Sequence, residues 1–442
     1  MASPMRTPTP GKRVAVIGAG YVGITTAVCF AHLGHHVVCA DIEPDKIAAL
    51  SRGELTHFEP GLGDLLTEGL ASGRLRFVLG ATAAVNGAEF IYLCLPTPML
   101  GDGRPNLVAL VDVADEVGPL LAPNAIVVNK STVPVGATRL VAAHLGRGDV
   151  AVVSNPEFLR EGAAVNDFMH PDRVVIGADD SATAIRVAEL FADVPGAVVV
   201  TDPVSAETIK YAANAFLATK LSFVNALAAV CESVGADADD VLLGVGYDRR
   251  VGREFLRPGP GWGGSCFPKD TRALLHMAND AGYEFGLLQA VLDANDEQFD
   301  RTASKVLRLA GVAPDGDATG VTIAAWGLTF KADTDDLRDS PALEVLQRVV
   351  AAGATVRAYD PVINAARMEP LGLSIEVVDD PYAACEGATV LTVLTEWDEF
   401  RHLDLAKVAT TLAERRVVDT RNVLDRNQLV RHGFTSDNIG RR

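Results

Sequence analysis

Residues 12–41 read KRVAVIGAGYVGITTAVCFAHLGHHVVCAD, and the fold is decided in these thirty positions. KRVAVI is a short β-branched run that ends in glycine. An amphipathic segment follows to about His32, and HHVVCAD is a second extended run ending at Asp41. Strand, glycine turn, helix and strand in that order form a βαβ unit, the building block of a doubly wound parallel sheet. The turn is GAGYVG, with Gly18, Gly20 and Gly23 in a GxGxxG pattern. The first two glycines permit a tight turn and close backbone approach to a pyrophosphate, and the third lets the helix pack on the sheet. The helix N-terminus adds amides and partial positive charge. Asp41, 18 residues after Gly23, sits where a carboxylate accepts hydrogen bonds from a ribose diol. It would repel a 2′-phosphate, so the pattern predicts NAD rather than NADP.

Outward from this unit, EFIYLCLP, AIVVNKS, VAVVSNP, RVVIGA and GAVVVTD read as further strands, which extends the first domain over residues 11–201. From Pro203 to about Ser233 there is no glycine and no further proline. Apolar residues recur there at helical spacing, which predicts one long helix. It opens a central helical region, residues 202–312, with a surface suited to a homodimer or higher homo-oligomer. GDATG (316–320) then punctuates the chain, and VTIAAWG, SPALEVLQRVVAAG, ATVRAYDP, ATVLTVLT and RRVVDT restart the strand–helix alternation within a domain at 313–442. Its first turn has Lys331 where glycine amides would cradle a phosphate. Asp360 ends its second strand, so a second dinucleotide site stays open as an alternative, although a lysine at a strand end suits a different anion.

Composition narrows the partners. The 442 residues are 48% hydrophobic and 22% charged, with a formal net charge of -18. That balance speaks against general nucleic-acid or anionic-membrane surfaces, so sites for anionic ligands must be built locally. The six cysteines form no CxxC pair and no cluster with histidines. A reducing compartment, the cytoplasm, fits them, and no metal site is expected. The opening MASPMRTPTP (1–10) lacks an apolar core and reads as a disordered tail rather than a signal peptide. No run nears the ~18 unbroken apolar residues of a membrane span.

Chemistry concentrates elsewhere. GPGWGGSCFPKD (259–270) places a thiol, Cys266, in a glycine-rich loop with Lys269 and Asp270 just behind it. KSTVPVG (130–136) follows a strand, and NPEFLREGAAVNDF (155–168) sets Glu157 and Glu161 four apart. IKYAANAF (209–216) sets Lys210 and Asn214 four apart on one face of the long helix. Read singly, such pairs are solvated surface couples and Cys266 an inert buried thiol, the reading that the other five cysteines keep.

Together GAGYVG, GELTHFEPGL, LPTP, STVPVG, NPEFLREG, KYAANAF, GPGWGGSCFPKD and FKADTDDLRDSP resemble the UDP-glucose/GDP-mannose dehydrogenase family, most closely its UDP-glucose branch, over residues 12 to 425. The resemblance implies two Rossmann-like doubly wound domains joined by a central helical region, and an NAD-dependent, two-step oxidation of UDP-glucose to UDP-glucuronate. It makes Cys266 the nucleophile, forming a thiohemiacetal and then a thioester. Lys210 and Asn214 match the oxyanion-stabilising pair, Asp270 and Thr132 the residues holding a water, and Glu161 the base for thioester hydrolysis. Gly18, Ala19, Gly20, Tyr21, Val22, Gly23, Asp41, Lys46, Thr97, Ser131, Thr132, Glu161 and Arg338 match cofactor positions. The nucleotide sugar would meet Glu157, Phe158, Leu159, Arg160, Glu161, Lys210, Asn214, Arg257, Pro258, Gly259, Gly261, Trp262, Gly263, Lys331 and Arg421. Arg250 corresponds to an arginine supplied by the partner subunit. The same chemistry on GDP-mannose or a UDP-N-acetylhexosamine is the alternative. A one-step β-hydroxyacid dehydrogenase would have no use for the loop thiol, and an inactive sensor would lack Cys266, Lys210 or Asp270.

Overall fold

The computed structural model describes residues 11–101 and 104–441; the tail expected at 1–10 lies outside the described residues. The chain divides into two compact units between Ala212 and Ala213, a point inside the long helix Pro203–Val234.

The first unit is built on eight strands: β1 Arg13–Ile17, β2 His36–Asp41, β3 Leu75–Leu79, β4 Phe90–Leu93, β5 Ile126–Asn129, β6 Ala151–Ser154, β7 Arg173–Gly177 and β8 Ala197–Thr201. Their order across the sheet is β3-β2-β1-β4-β5-β6-β7-β8. All neighbours are parallel except β6 and β7, which meet antiparallel at Ser154 and Gly177. Both faces are covered at the centre of the sheet, though Val198, Val199 and Val200 of β8 stay exposed, and β1 shows why its sequence is apolar throughout. Val14 and Val16 enter one core and Ala15 and Ile17 the other, as period-two alternation demands of a doubly covered strand. The chain leaves β1 for β2 on one side and returns to β4 on the other. This switch point opens the crevice at the strands' carboxyl ends where such sheets bind ligands.

The second unit repeats the plan with β9 Thr322–Trp326, β10 Thr355–Tyr359, β11 Ile375–Val377, β12 Val390–Val393, β13 Arg416–Asp419 and β14 Thr435–Asn438. The six parallel strands run in the order β11-β10-β9-β12-β13-β14. Three strands, β3, β11 and β14, were not legible as strands. Each is short and carries polar or charged residues, and each flanks or ends its sheet. The tail after residue 425, which supported no reading, forms helix Arg426–Arg431 and then β14.

Helix Pro203–Val234 is 32 residues long and, by length and composition, apolar enough to cross a membrane. No unbroken apolar run signalled this, because polar residues interrupt it. Yet 44% of its most apolar stretch is buried inside the protein, and so are two of its charges, Glu207 and Lys210. Glu207 accepts hydrogen bonds from the Gly136 N–H (2.7 Å), the Thr138 N–H (2.8 Å) and the Thr138 hydroxyl (2.6 Å). It thereby pins the helix start to the turn after β5. We expect Glu207→Ala to leave these donors unsatisfied and cost about 2–3 kcal/mol of stability. A melting temperature within about 1 °C of the parent would show that this bridge is not needed.

Candidate active site

In the first unit the GxGxxG turn closes β1 onto helix Tyr21–His32. Gly18 has φ +99°, and a Cβ there would meet the Cys94 carbonyl oxygen at 2.4 Å; one on Gly23 would meet the Gly18 carbonyl oxygen at 1.8 Å. Neither position accepts a side chain. Gly20 has no atom within 4 Å of such a Cβ, so the backbone is open to a ligand there. Asp41 stands at the end of β2. Its Oδ2 accepts from the Ala19 N–H at 2.8 Å and from Lys46 Nζ at 3.3 Å, so it braces the turn and holds Lys46 beside it. The loops after β4 and β5 are stitched together by Ser131 Oγ donating to the Leu95 carbonyl (2.7 Å) and Thr97 Oγ1 donating to the Thr132 carbonyl (2.9 Å). Thus Thr97, Ser131 and Thr132 gather beside the glycine turn's sheet crevice.

Glu157 and Lys210 form a buried ion pair, with Nζ 2.8 Å from Oε1 and about 5% of each side chain exposed. Oε2 of Glu157 accepts from the Leu159 N–H at 2.6 Å. Burial alone would raise this carboxyl, but the Lys210 charge and hydrogen bond, the Leu159 amide and Lys130 outweigh it and hold the group below the usual carboxylate range. Lys130, buried and bonded to Asn155 Oδ1 at 3.2 Å, is pushed down to about 8, by burial first and with Lys210 adding to it. Sequence reading assigned nothing to Lys130; only its place in a strand-end KST run hinted at it. Phe158 stacks under the Arg173 guanidinium at 3.8 Å and lies 5.4 Å from Lys210 Nζ. Arg160 is bidentate to Asp167 (2.9 and 2.6 Å), and Glu161 beside it is partly exposed.

The second unit holds the thiol. Cys266 immediately precedes helix Phe267–Asp280, with Ser265 Oγ 3.5 Å from Sγ. A thiolate at a helix N-terminus is favoured by the free amides and the helix dipole. Cys266 is partly exposed and the other five cysteines are buried. One turn on, Asp270 is fully buried, accepting from Asn214 Nδ2 at 2.6 Å and from Lys269 Nζ at 2.5 Å. Thus Asn214, Asp270 and the thiol loop, remote in sequence, come together.

Residues 258–264 of that loop are buried, and polar side chains on two helices hold them. Asn225 Oδ1 accepts from the Gly259 N–H (2.9 Å), and Gln298 donates to the Gly259 carbonyl (2.7 Å). Asn295 brackets Trp262, accepting from its N–H at 2.8 Å and donating to its carbonyl at 2.9 Å, while the Trp262 indole donates to Ser222 Oγ at 2.8 Å. These four anchors escaped sequence reading, where buried Asn and Gln on helices look like ordinary surface residues. On the other side, a Cβ at Gly259 would meet Arg421 Nη1 at 2.9 Å. Arg421 reaches there from the end of β13, held by the Leu394 carbonyl (3.0 Å), the Phe330 carbonyl (3.2 Å) and Glu396 (3.1 Å). Lys331 Nζ lies 5.6 Å from the Phe330 ring. Gly264 donates to the Asp339 carbonyl at 3.3 Å, next to Arg338, whose own guanidinium pairs with Asp336. Gly261 and Gly263 belong to the buried stretch, whereas Arg257 is exposed at its start.

Arg250 does not join this group: 89% of its side chain is exposed and it pairs with Asp248. Asp360 resembles Asp41 in place and in its backbone partners. It is buried and accepts from the Leu328 N–H (2.8 Å), the Val362 N–H (3.0 Å) and the Trp397 indole (3.3 Å). Asp41 is held in the same way, by the Ala19 N–H (2.8 Å) and the Glu43 N–H (3.0 Å), so what sets the second sheet apart is its first turn, where Lys331 stands and the GxGxxG pattern is missing.

Known proteins match along the whole chain. Profiles of the UDP-glucose/GDP-mannose dehydrogenase family fit residues 12–195 (NAD binding domain), 204–297 (central domain) and 324–426 (UDP binding domain). The UDP-glucose 6-dehydrogenase TuaD of Bacillus subtilis is 42% identical over 435 residues, 97% of this chain and 93% of that protein. A UDP-glucose 6-dehydrogenase of Rhizobium meliloti is 43% identical, covering 97% and 99%. Among solved structures, a UDP-glucose dehydrogenase from Pyrobaculum islandicum superposes with a TM-score of 0.89 at 34% identity, covering 100% of both chains.

Burial pushes the thiols of Cys29, Cys94 and Cys385 up to about 12 and that of Cys39 well above its usual value. Brief iodoacetamide treatment of the folded chain is therefore expected to alkylate Cys266 first. Peptide mapping that found labelling spread over the buried cysteines, or a silent Cys266, would contradict this arrangement.

Proposed function

The chain belongs to the UDP-glucose/GDP-mannose dehydrogenase family, and we propose that it oxidises the primary alcohol of UDP-glucose to the carboxylate of UDP-glucuronate in two NAD-dependent steps. The observation that carries the proposal is the partly exposed Cys266 at a helix N-terminus, one turn from buried Asp270 and its Asn214 partner. A one-step alcohol dehydrogenase needs no such thiol. The names of the relatives support the sugar, and the profile of a UDP binding domain supports the nucleotide.

The residues present fit NAD. The turn leaves Gly20 open where Gly18 and Gly23 are closed, and Asp41 stands at the β2 end for a ribose. When bound, NAD accepts a hydride in each of the two oxidations. Lys210 and Asn214, one helical turn apart, stabilise the alkoxide and later the tetrahedral oxyanions. The Cys266 thiolate adds to the aldehyde carbon, giving a thiohemiacetal that cannot diffuse away and that loses its hydride to become a thioester. Thr132 and Asp270 hold the water that breaks this carbon–sulfur bond, and Glu161 takes its proton. One alcohol, one water and two NAD give one carboxylate and two NADH, with the thiol restored. Glu157, buried as a carboxylate against Lys210, holds that lysine in place. Residues 257–263 with Lys331 and Arg421 take the nucleotide diphosphate, which supplies the local positive charge an acidic chain requires. We keep residues 11–201, 202–312 and 313–442 as the cofactor, central and nucleotide-sugar portions.

The long helix supports a homodimer. Phe216, Phe223 and Val230 recur every seven residues and are 68%, 58% and 54% exposed, a seam suited to the same helix of a second copy. Exposed Arg250 is then free to serve the partner's site. A nucleophilic thiol must stay reduced, which supports a cytoplasmic setting.

NADH counted per UDP-glucose consumed, with GDP-mannose and UDP-N-acetylglucosamine alongside, tests the reaction. Two NADH are expected for the wild type and no acid for Cys266→Ser, which should still bind both ligands. One NADH, or acid from the serine variant, would defeat the covalent route; turnover of another sugar alone would change the substrate. For the dimer, Phe223→Glu is expected to shift the species seen by analytical ultracentrifugation toward monomer. An unchanged sedimentation profile would remove the helix from the interface.

A further inference from the structure

The segment GELTHFEPGL (53–62) belongs to the sequence pattern but has no part in the chemistry above. Its Glu59 is 4% exposed and lies between the two working parts of the first unit. Oε2 accepts from the Tyr21 phenol and from the Gly162 N–H (2.7 Å), and Oε1 accepts from the Ala164 N–H (2.8 Å). Tyr21 opens the helix of the GxGxxG turn. Its phenol oxygen also accepts from the Gly162 N–H at 3.1 Å and lies 3.2 Å from the Arg160 carbonyl. His57, from the same segment, packs on the Tyr21 ring with centroids 5.1 Å apart.

Glu161 thus has a tethered residue on either side. Arg160 is fixed by Asp167 and Gly162 by Glu59. Burial, the Glu59 hydrogen bond, and the charges of Glu59 and Glu161 all raise the Tyr21 phenol, so it remains a donor. A buried carboxylate is stable here because both its oxygens receive hydrogen bonds. An amide in its place would turn an NH2 group toward a backbone N–H or toward the phenol.

We propose that Glu59 is a positioning residue that ties the first turn of the dinucleotide helix to the loop carrying Glu161. The cofactor turn and the loop of the hydrolytic base then share one geometry, and NAD bound at the turn tightens the loop. The role of Glu161 in this scheme rests on the function proposed above.

Glu59→Gln and Tyr21→Phe test it by two independent readouts. In the intact chain, amide hydrogen exchange at Gly162 and Ala164 should be about ten-fold faster in Glu59→Gln. In Tyr21→Phe these amides should stay slow, but the added protection that NAD gives to residues 160–164 should be lost. With UDP-glucose and NAD, Glu59→Gln should lower kcat by about ten-fold while KM for UDP-glucose moves by less than about three-fold. Mass spectrometry of the acid-quenched chain should then find the sugar thioester accumulating on Cys266. Wild-type exchange in Glu59→Gln, or fast exchange with normal kcat and no thioester, overturns the proposal. If Glu59→Gln does not fold, retention of NAD-induced protection in Tyr21→Phe overturns it. Should the wild type form no acid from UDP-glucose, the substrate reading fails, while the exchange measurements, which need only NAD, still decide the tie.

Discussion

Every strand of a parallel sheet ends in a loop whose backbone N–H groups have left the ladder, and where those loops are buried each donor needs an acceptor. This chain meets the requirement with carboxylates. Asp41 accepts from Ala19, Glu207 from Gly136 and Thr138, Glu59 from Gly162 and Ala164, Asp360 from Leu328, and Asp419 from Arg421 and Leu424. The first three shape the cofactor turn, the start of the long helix and the loop of Glu161; the last two shape the turns that carry Lys331 and Arg421. Part of the acidity of the chain, net charge -18, is therefore internal scaffolding. Not every such acid bears its charge at equal cost, since burial pushes Asp419 up to about 6 against the pull of its amides.

The same principle is at work in both sheets. Both open with three strands on one side of a switch point and continue on the other, and both place an aspartate at the end of the second strand. In the first, Asp41 braces Ala19 and keeps Lys46 beside it at the crevice. In the second, Asp360 likewise accepts from the Leu328 and Val362 N–H groups, and also from the Trp397 indole, while Lys331 stands in the first turn and the GxGxxG pattern is missing. The two sheets thus share an aspartate brace and differ in the residues that follow their first strands.

Local signals were legible and long-range ones were not. The GxGxxG turn between two apolar runs, the glycine-free stretch after Pro203 and the thiol among glycines declare themselves because the physics behind each is confined to a few neighbouring residues. Strands β3, β11 and β14 were missed because polar or charged residues interrupt them (LRFVL, IEV and TSDN), whereas edge strand β8 was legible from its apolar AVVVT run. Glu59, Lys130, Asn225, Asn295 and Gln298 were missed because their importance lies in partners between 25 and 105 residues away, and a polar residue gives no sign in sequence of whether its partner is water or a buried amide. Arg250 is the converse: its exposure suits the role expected of it only in the company of a second copy.

The distribution of the thiols bears on how the chain meets chemical damage. Five sulfur atoms are shut inside apolar packing, away from an oxidant, and for Cys29, Cys39, Cys94 and Cys385 burial also disfavours the thiolate it would attack. The sixth is partly exposed, as the proposed attack on a substrate carbon requires. Peroxide would thus convert Cys266 to a sulfenic acid before touching any core residue. Turnover would be lost while the molecule stayed folded, and a reductant acting at that stage would return it intact.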